Sequence, residues 1–433
     1  MTALAQRATG IDFEAIELAL REAALSAGAK VLEGLLRDVG VGRRETKVQC
    51  RCATAMNSSG VKAKTVHTLL GEVRFERSRY ACPVCAESHY PGDEELGVLH
   101  TSRSPGLQRQ TARLGAKEPF AEVAKDLREL AGIRISRKDA ERISEAIGED
   151  METRDAKERQ DIRFSEPPAP DTTAKTIETL YIEYDGTGVP MVPHEVAGRK
   201  GKQKDGSAKT REAKLGCVFT QTAFDDKGRP IRDPASTTFT GAIEAAAPFG
   251  ERIYAEAVRR GLFEAKRVVV LGDGAEWIKT IAQTHFGRAT HIIDLYHARE
   301  HLVLLCKLLF DRDLRRLNRY KDRWWDELDE GNIEALTQKA RSFLPTDDNA
   351  GKDARREIGY FEKNKERMRY GHYKAQGLFV GSGVIEAGCK NIVADRLKKS
   401  GMEWTVPGAN AIIALRCAEL SRRTEDYWEQ RAG

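Results

Sequence analysis

At 433 residues the chain is long enough for about three domains, each able to bury a core. Hydrophobic residues make up 40% and charged residues 32%, which predicts a globular protein with a heavily charged surface. Lys plus Arg (71) exceeds Asp plus Glu (66) by only five, so local basic runs carry more information than the overall balance. No apolar run approaches the roughly 18 residues of a membrane span, and the first ten residues hold no signal-peptide core. The expectation is a cytoplasmic protein with no membrane partner.

The first predicted element is an amphipathic helix over 12–38, in which Phe13, Ile16, Leu20, Ala24, Ala27, Val31 and Leu35 recur at helical spacing. It reads as a packing helix within an N-terminal segment, 1–46. Residues 47–100 read as a small β module, with strands at 65–70 and 73–77 joined at Gly71-Glu72. The second strand leads into Cys82-Pro-Val-Cys85, the spacing with which two thiolates reach one tetrahedral zinc. The second pair is Cys50 and Cys52, one residue closer than the usual knuckle; His67 or His89 could substitute for one of them. Four clustered cysteines in a cytosolic chain suggest metal rather than disulfides. The ion would be structural.

Residues 101–149 read as all-helical, with helices at 106–114, 119–130 and 136–147. Ser136-Arg-Lys-Asp139 has the form of a capping box. The last two helices form a helix-turn-helix-like pair, with Arg137, Lys138 and Arg142 on the second helix, where they could enter a major groove. An ordinary helical hairpin with a basic solvated face explains the same residues. Residues 150–177, charged and then proline-rich, read as a linker and domain boundary.

The remainder reads as one α/β domain with an insertion. Leu180-Tyr-Ile-Glu-Tyr-Asp-Gly-Thr-Gly188 alternates as a strand ending at Asp185. A basic loop follows from Arg199 to Lys214, including Lys200, Lys202 and Lys204. Strands are expected at 215–222 and within 231–240, then a helix over 242–261. Arg267-Val-Val-Val-Leu-Gly272 is a short buried strand with Asp273 at its carboxyl end, where ligands and catalysts collect in open α/β sheets. A helix to about 286 and a fifth strand over 289–295 complete the first part, 178–296. A meander of three strands followed by two strands alternating with helices is the order of an RNase H-like mixed sheet. Residues 297–375 read as an all-helical insertion in which arginines lead into Trp324-Trp325. Basic residues interleaved with aromatics can hold phosphates and stack on bases, and they serve equally as a solvated face over a tryptophan core. The second part, 376–433, begins with Gly381-Ser-Gly383. A single helix over 384–399 then carries Glu386, Lys390, Arg396, Lys398 and Lys399.

Two aspartates at strand ends and one glutamate on a helix suit a pair of magnesium or manganese ions, which take hard oxygen ligands. Asp-Gly pairs are also common turn signals, and Asp294 or Glu300 could fill the third place.

Five ordered segments resemble the insertion-sequence transposases of the ISKra group, relatives of the Mutator-like DDE enzymes. They are Tyr184-Asp-Gly-Thr-Gly-Val189, Leu271-Gly-Asp-Gly-Ala-Glu-Trp-Ile278, Asp294-Leu-Tyr-His-Ala-Arg-Glu-His-Leu302, Gly381-Ser-Gly-Val-Ile-Glu-Ala-Gly-Cys389 and Gly401-Met-Glu-Trp-Thr-Val-Pro-Gly-Ala-Asn-Ala411. The resemblance implies an RNase H-like catalytic domain with an all-helical insertion and a zinc-ribbon-like N-terminal module. It implies Asp185, Asp273 and Glu386 as the catalytic, metal-binding triad, and Asp294 and His297 as accessory residues near it. It further implies a bacterial, nucleoid-associated enzyme that binds the terminal inverted repeats of its element, cuts with two divalent ions and joins the freed end to target DNA. Such an enzyme works as a homodimer or larger. The phosphate contacts would come from Arg199, Lys200, Lys202, Lys204, Lys390, Arg396, Lys398 and Lys399. The pair Cys50 and Cys52 departs from the group's Cys-x-x-Cys. A stand-alone RNase H-fold nuclease, or a domesticated DNA-binding protein without catalysis, are the alternatives.

Overall fold

The structure, a computed structural model, describes residues 6–7, 10–39, 42–44, 47–164, 177–201, 203–310, 312–345 and 351–432. The chain forms two compact units, Met1–Gly148 with Glu425–Gly433, and Glu149–Thr424. The C-terminal helix therefore belongs with the N-terminal unit rather than with the second part of the α/β domain.

In the first unit, α1 (Phe13–Val39) packs against a long hairpin of β1 (Asn57–Thr68) and β2 (Gly71–Ala81). The hairpin alternates as its sequence requires: Val73 and Phe75 face inward with Val66, while Arg74 and Glu76 face out. Thr68 closes the turn, its hydroxyl accepting from the Leu70 N–H (3.1 Å) and donating to the Gly71 carbonyl (2.9 Å). The stripe of α1 expected to pack is instead turned outward: Phe13, Leu20, Val31 and Leu35 are exposed. The opposite face, with Ala29 and Leu36, meets the hairpin. Spacing alone identified an apolar stripe but not which of two apolar faces the hairpin would cover.

Three helices follow, α2 (Pro105–Gly115), α3 (Phe120–Ala131) and α4 (Arg137–Phe164). The Ser136–Asp139 box forms: the Asp139 N–H donates to the Ser136 hydroxyl (3.0 Å), which donates back to the Asp139 carboxylate (3.1 Å). Helix α4 runs on to Phe164, through the first half of the expected linker. Its charged residues there are paired along the helix, as in Arg154–Asp150 and Arg159–Asp155, so a composition typical of linkers is helical. Residues 165–176 of that expected linker lie outside the described residues.

The second unit is built on a five-stranded mixed sheet in the order β5-β4-β3-β6-β7. Strands β3 (Ile177–Pro190), β4 (Thr210–Gln221) and β5 (Thr238–Ala242) form an antiparallel meander. Strands β6 (Ala265–Gly272) and β7 (Thr290–Ile293) run parallel to β3. On β3, Leu180, Ile182 and Tyr184 face α5 (Ala246–Arg259) and α6 (Glu276–His285), in a core with Val218, Phe249, Ile253, Val270, Ile278 and Ile281. Tyr181, Glu183 and Asp185 point to the other face, since successive strand side chains alternate.

Four longer helices, α7 (Leu295–Phe310), α8 (Leu314–Glu330), α9 (Ile333–Arg341) and α10 (Lys352–Asn364), and a short one, Tyr370–Ala375, make the insertion among the described residues. Trp324 is fully buried and packs with Phe310, Tyr320 and Phe343, with Tyr320 and Phe343 ring centroids 4.9 Å apart. This tryptophan is therefore core rather than a platform for bases. The chain then returns through α11 (Gly383–Gly388), a π-helical turn (Cys389–Ala394) and α12 (Val406–Leu420), and α13 (Thr424–Ala432) ends it. The single helix expected over 384–399 is thus broken by a π turn, a feature common near functional sites.

Candidate active site and candidate metal centre

Asp185 does not end its strand. Strand β3 continues to Pro190, paired with β4 throughout, but pairing with β6 stops at Leu271–Glu183. Past that point one edge of β3 is open, and the β6 chain turns away at Gly272 into Asp273. The parallel register brings the backbone of Gly272 to the Tyr184 carbonyl: a Cβ on Gly272 would stand 3.1 Å from that oxygen. Asp185 and Asp273 thus stand level with each other where β6 ends beside the middle of β3. Asp185 Oδ1 accepts from the Gly186 N–H (2.6 Å), and Asp273 Oδ1 accepts from the Ala275 N–H (2.7 Å), which holds each carboxylate against its own turn.

Glu386 reaches the same end from α11, where it is exposed. Helix α11 lies close on the sheet: a Cβ on Gly388 would meet the Phe239 ring at 2.7 Å, so only glycine permits the approach. One turn on, the Cys389 thiol stands 3.8 Å from Asp185 Oδ2. The Asp185 carboxyl is held above the usual carboxylate range, first by burial and then by the negative charges of Asp273 and Glu386. Such accumulated negative charge, at a spot that alternating packing would normally leave neutral, is what a bound cation relieves. Among the described residues, the only group of three or more His, Cys, Asp or Glu donors lying within 4.8 Å of one another is a cysteine cluster elsewhere.

Asp294 is buried and its carboxylate is committed to backbone: Oδ1 accepts from the His297 N–H (2.6 Å) and Oδ2 from the Ser382 N–H (2.5 Å). It lies beside the loop that precedes Glu386. His297 instead faces Glu300 (3.7 Å) and the edge of the His301 ring.

Sequence reading missed Glu183 and Tyr360 and misplaced Lys214. Glu183, one step down β3 from Asp185, is fully buried; burial pushes its carboxyl up to about 8, and the charges of Asp294 and Glu386 add to that. An acid inside the apolar run Leu180-Tyr-Ile-Glu-Tyr was the available signal. Tyr360 of the insertion packs on Asp273's neighbour, so that a Cβ on Gly274 would lie 2.5 Å from its ring. It also stacks on His301 at 3.9 Å, and His301 Nδ1 lies 2.6 Å from Glu357 Oε2. Lys214, placed in the basic loop by sequence, is a buried strand residue on β4, its ammonium 2.5 Å from Glu212 and 5.1 Å from the Trp277 ring.

Of the expected DNA contacts, Arg137, Lys138, Arg142, Arg199, Lys200, Lys204, Lys390, Lys398 and Lys399 are exposed. Lys138 is paired with Glu141 at 2.7 Å, and Lys398 donates to Thr187 Oγ1 (2.6 Å), two residues beyond Asp185. Lys202 lies outside the described residues. Arg396 corrects the expectation: it is 1% exposed, with its guanidinium 5.1 Å from the Trp404 ring centre, so it is enclosed rather than offered to a phosphate.

In the first unit, Cys50, Cys52, Cys82 and Cys85 bring their four sulfurs within 4.8 Å of one another. Cys50 and Cys85 are 3.4 Å apart, Cys52 and Cys82 3.6 Å, and Cys52 and Cys85 3.8 Å. A tetrahedral ion with Zn–S bonds of about 2.3 Å requires sulfurs roughly 3.8 Å apart. Each pair ends in a left-handed residue, Ala53 (φ 62) and Ala86 (φ 59), so both turns curl their backbone around the sulfurs. The shorter Cys-x-Cys spacing therefore does not keep the first pair from converging on the second. His67 and His89 are not in the cluster.

Residues 256–431 match the family described as "Uncharacterised protein family (UPF0236)". The chain is similar to the "UPF0236 protein in vanSb 3'region" of Streptococcus gallolyticus, 24% identical over 380 residues, which cover 85% of this chain and 75% of that protein. A solved structure titled "Drosophila P element transposase strand transfer complex" aligns over 79% of this chain and 84% of its own at 10% identity, with a TM-score of 0.23, too low to carry over fold or function.

Proposed function

We propose that this chain is a DDE transposase: a divalent-metal-dependent enzyme that cuts DNA at the ends of its element and joins the freed 3′ end to a target. The observation that carries the reading is that Asp185 and Asp273 stand at matching register positions where β6 leaves β3, with the segment that carries Glu386 bonded to the same part of β3. The strand order, 3-2-1-4-5 along the sheet with three antiparallel and two parallel members, supports an RNase H-like core. The helical segment between β7 and α11 occupies the place of the insertion that the resemblance implies.

The residues fit a pair of magnesium or manganese ions, since hard carboxylate oxygens are their preferred ligands and two-metal sites are built from such groups. Bound there, the ions would supply Lewis-acid activation of the attacking oxygen and neutralise charge on the phosphate. Asp185, Asp273 and Glu386 would hold the ions between them. Lys398, beside Thr187, would meet the DNA backbone next to the acids. Exposed Lys390, Lys399, Arg199, Lys200 and Lys204 would add phosphate contacts, which position DNA without choosing its sequence. Arg137, Lys138 and Arg142, at the start of the second helix of the pair, would read the element's ends. A zinc ion on the four cysteines would hold the β module in shape. Pairing two ends requires at least two copies, and the exposed apolar stripe of α1 supports self-association.

The test is cleavage and joining of labelled terminal-repeat DNA with magnesium or manganese. Asp185→Asn, Asp273→Asn and Glu386→Gln should each lower cleavage by roughly a hundredfold to a thousandfold, the scale of losing one preorganised charge at a reacting centre, with end binding retained. A folded Asp185→Asn protein that cuts at the parental rate would sink the reading.

A further inference from the structure

Strand β3 presents Tyr181, Glu183 and Asp185 on one face, at successive alternate positions. Each reaches the segment that returns from the helical insertion, and in the same order. The Tyr181 hydroxyl accepts from the Phe379 N–H (3.2 Å), Glu183 Oε2 accepts from the Ile385 N–H (3.0 Å), and Asp185 Oδ2 faces the Cys389 thiol (3.8 Å). From the end of β7, Asp294 accepts from the Ser382 N–H, and the Leu295 N–H donates to the Val380 carbonyl (2.9 Å). Residues 379–389, which carry Glu386, are thus tied at both ends and at Ile385 to the strand that carries Asp185, and at Val380 and Ser382 to the end of β7.

We infer that Glu183 and Asp294 form a carboxyl clamp whose task is to set Glu386 at its working distance from Asp185 and Asp273. This rests on the proposed acid triad and deepens it. Glu386 itself has an exposed side chain on a six-residue helix that is followed by a π turn, so its own helix defines its place poorly. The N–H groups of Ser382 and Ile385 belong to the unsatisfied first turn of that helix, and two buried carboxyls satisfy them. Glu183 Oε1 has no hydrogen-bond partner among the described residues, and a buried unpaired oxygen is costly unless the other oxygen's bond is worth keeping. A residue chosen for stability alone would be apolar at this place, as Leu180, Ile182 and Tyr184 are on the opposite face. Glu183 and Asp294 are accordingly positioning residues: they touch neither the DNA nor the ions.

The experiment compares Glu183→Gln, Glu183→Leu and Asp294→Asn with Asp185→Asn in the full-length protein. The readouts are terminal-repeat cleavage under saturating DNA, manganese affinity by electron paramagnetic resonance, and end-DNA affinity. Glu183→Gln keeps an acceptor for the Ile385 N–H and should stay within about threefold of the parent in cleavage. Glu183→Leu should lower the saturated cleavage rate by about a hundredfold, the scale of an ångström's misplacement at a reacting centre. Its manganese affinity should fall by about tenfold, as for other groups that orient metal ligands, and its end-DNA affinity should not change. Asp294→Asn retains one of two acceptors and should fall between the two. If Glu183→Leu does not fold, Asp294→Asn decides by the same three readouts. If Asp185→Asn is inactive while Glu183→Leu and Asp294→Asn match the parent in rate and manganese affinity, the clamp is wrong and the triad stands. If Asp185→Asn cleaves normally, the triad itself is wrong.

Discussion

The Cys389 sulfur lies 3.8 Å from Asp185 Oδ2, joining residues 204 positions apart at the open end of the sheet. Burial, and then the charge of Asp185, push this thiol well above its ordinary range, so it stays protonated and unreactive at neutral pH. Iodoacetamide should leave Cys389 unmodified in the native protein and label it after unfolding, as read by peptide mass spectrometry. Cys389→Ser keeps a donor facing Asp185 and should cleave within about threefold of the parent. Rapid native alkylation of Cys389 would contradict this packing.

Gly274 and Tyr360 form a second long-range pair, between the turn after Asp273 and the helical insertion. A Cβ on Gly274 would lie 2.5 Å from the Tyr360 ring, so Gly274→Ala must displace the tyrosine or the turn. Cleavage should drop by about tenfold or more, since overpacking here moves Asp273. Tyr360→Ala opens the space, so the double variant should lose less than the sum of the singles; strict additivity would show that the two do not meet.

Arg252 is nearly fully buried and bridges Glu244 (2.7 Å), Glu152 (2.6 Å) and Asp155 (3.5 Å), tying α4 to α5. Arg252→Met leaves these carboxylates partly unpaired and should cost about 3–5 kcal/mol in urea unfolding. Burial by itself would raise Glu152, Asp155 and Glu256, but their arginine partners more than offset it and all three are lowered. A lowered folded pKa contributes stability that is complete above the unfolded value, about 4 for these groups. That stability is then lost as pH falls through the folded value. The contribution of these three groups should therefore be constant down to about pH 5 and be lost steeply below about pH 4, so the acid-side fall of the melting temperature should be shallower in Arg252→Met than in the parent.

The four-cysteine cluster should hold one zinc per chain, measured by elemental analysis of protein purified without added metal. Cys82→Ser and Cys52→Ser should each lose the ion and open residues 47–100 to proteolysis, because binding energy at a structural zinc is folding energy. Cleavage of pre-bound DNA by the acid site should be less affected than end binding. Full zinc content in Cys52→Ser would remove the Cys-x-Cys pair from the site.

Neutralising Lys200 and Lys204 should weaken binding to all DNA sequences alike. The slope of log affinity against log salt should become shallower by about one unit for each phosphate that is no longer neutralised. An unchanged slope would show that this loop does not touch the DNA backbone.

Much of the local structure was legible. Strand β6 with Asp273 at its mouth, the Ser136–Asp139 box, the meander and the helical insertion all follow from periodicity and turn residues, which act over a few positions. So does the pairing of Cys82 with Cys85, whose spacing alone points to metal. Other features were hidden because they depend on which surfaces meet. Asp185 looked like a strand end because Gly186 follows it, yet β4 carries the strand on to Pro190 while β6 departs. Arg396 and Lys214 read as surface cations until Trp404 and Trp277 covered them.

By itself the sequence determined the elements, the three acids as candidates and the four thiols, since side-chain chemistry and short-range spacing are written residue by residue. Only the tertiary structure decided that Asp185, Asp273 and Glu386 share one charged end of the sheet, and that Glu183 and Asp294 grip the helix bearing the third. Sheet register and helix docking set those distances, and both are settled by long-range packing that no local pattern encodes.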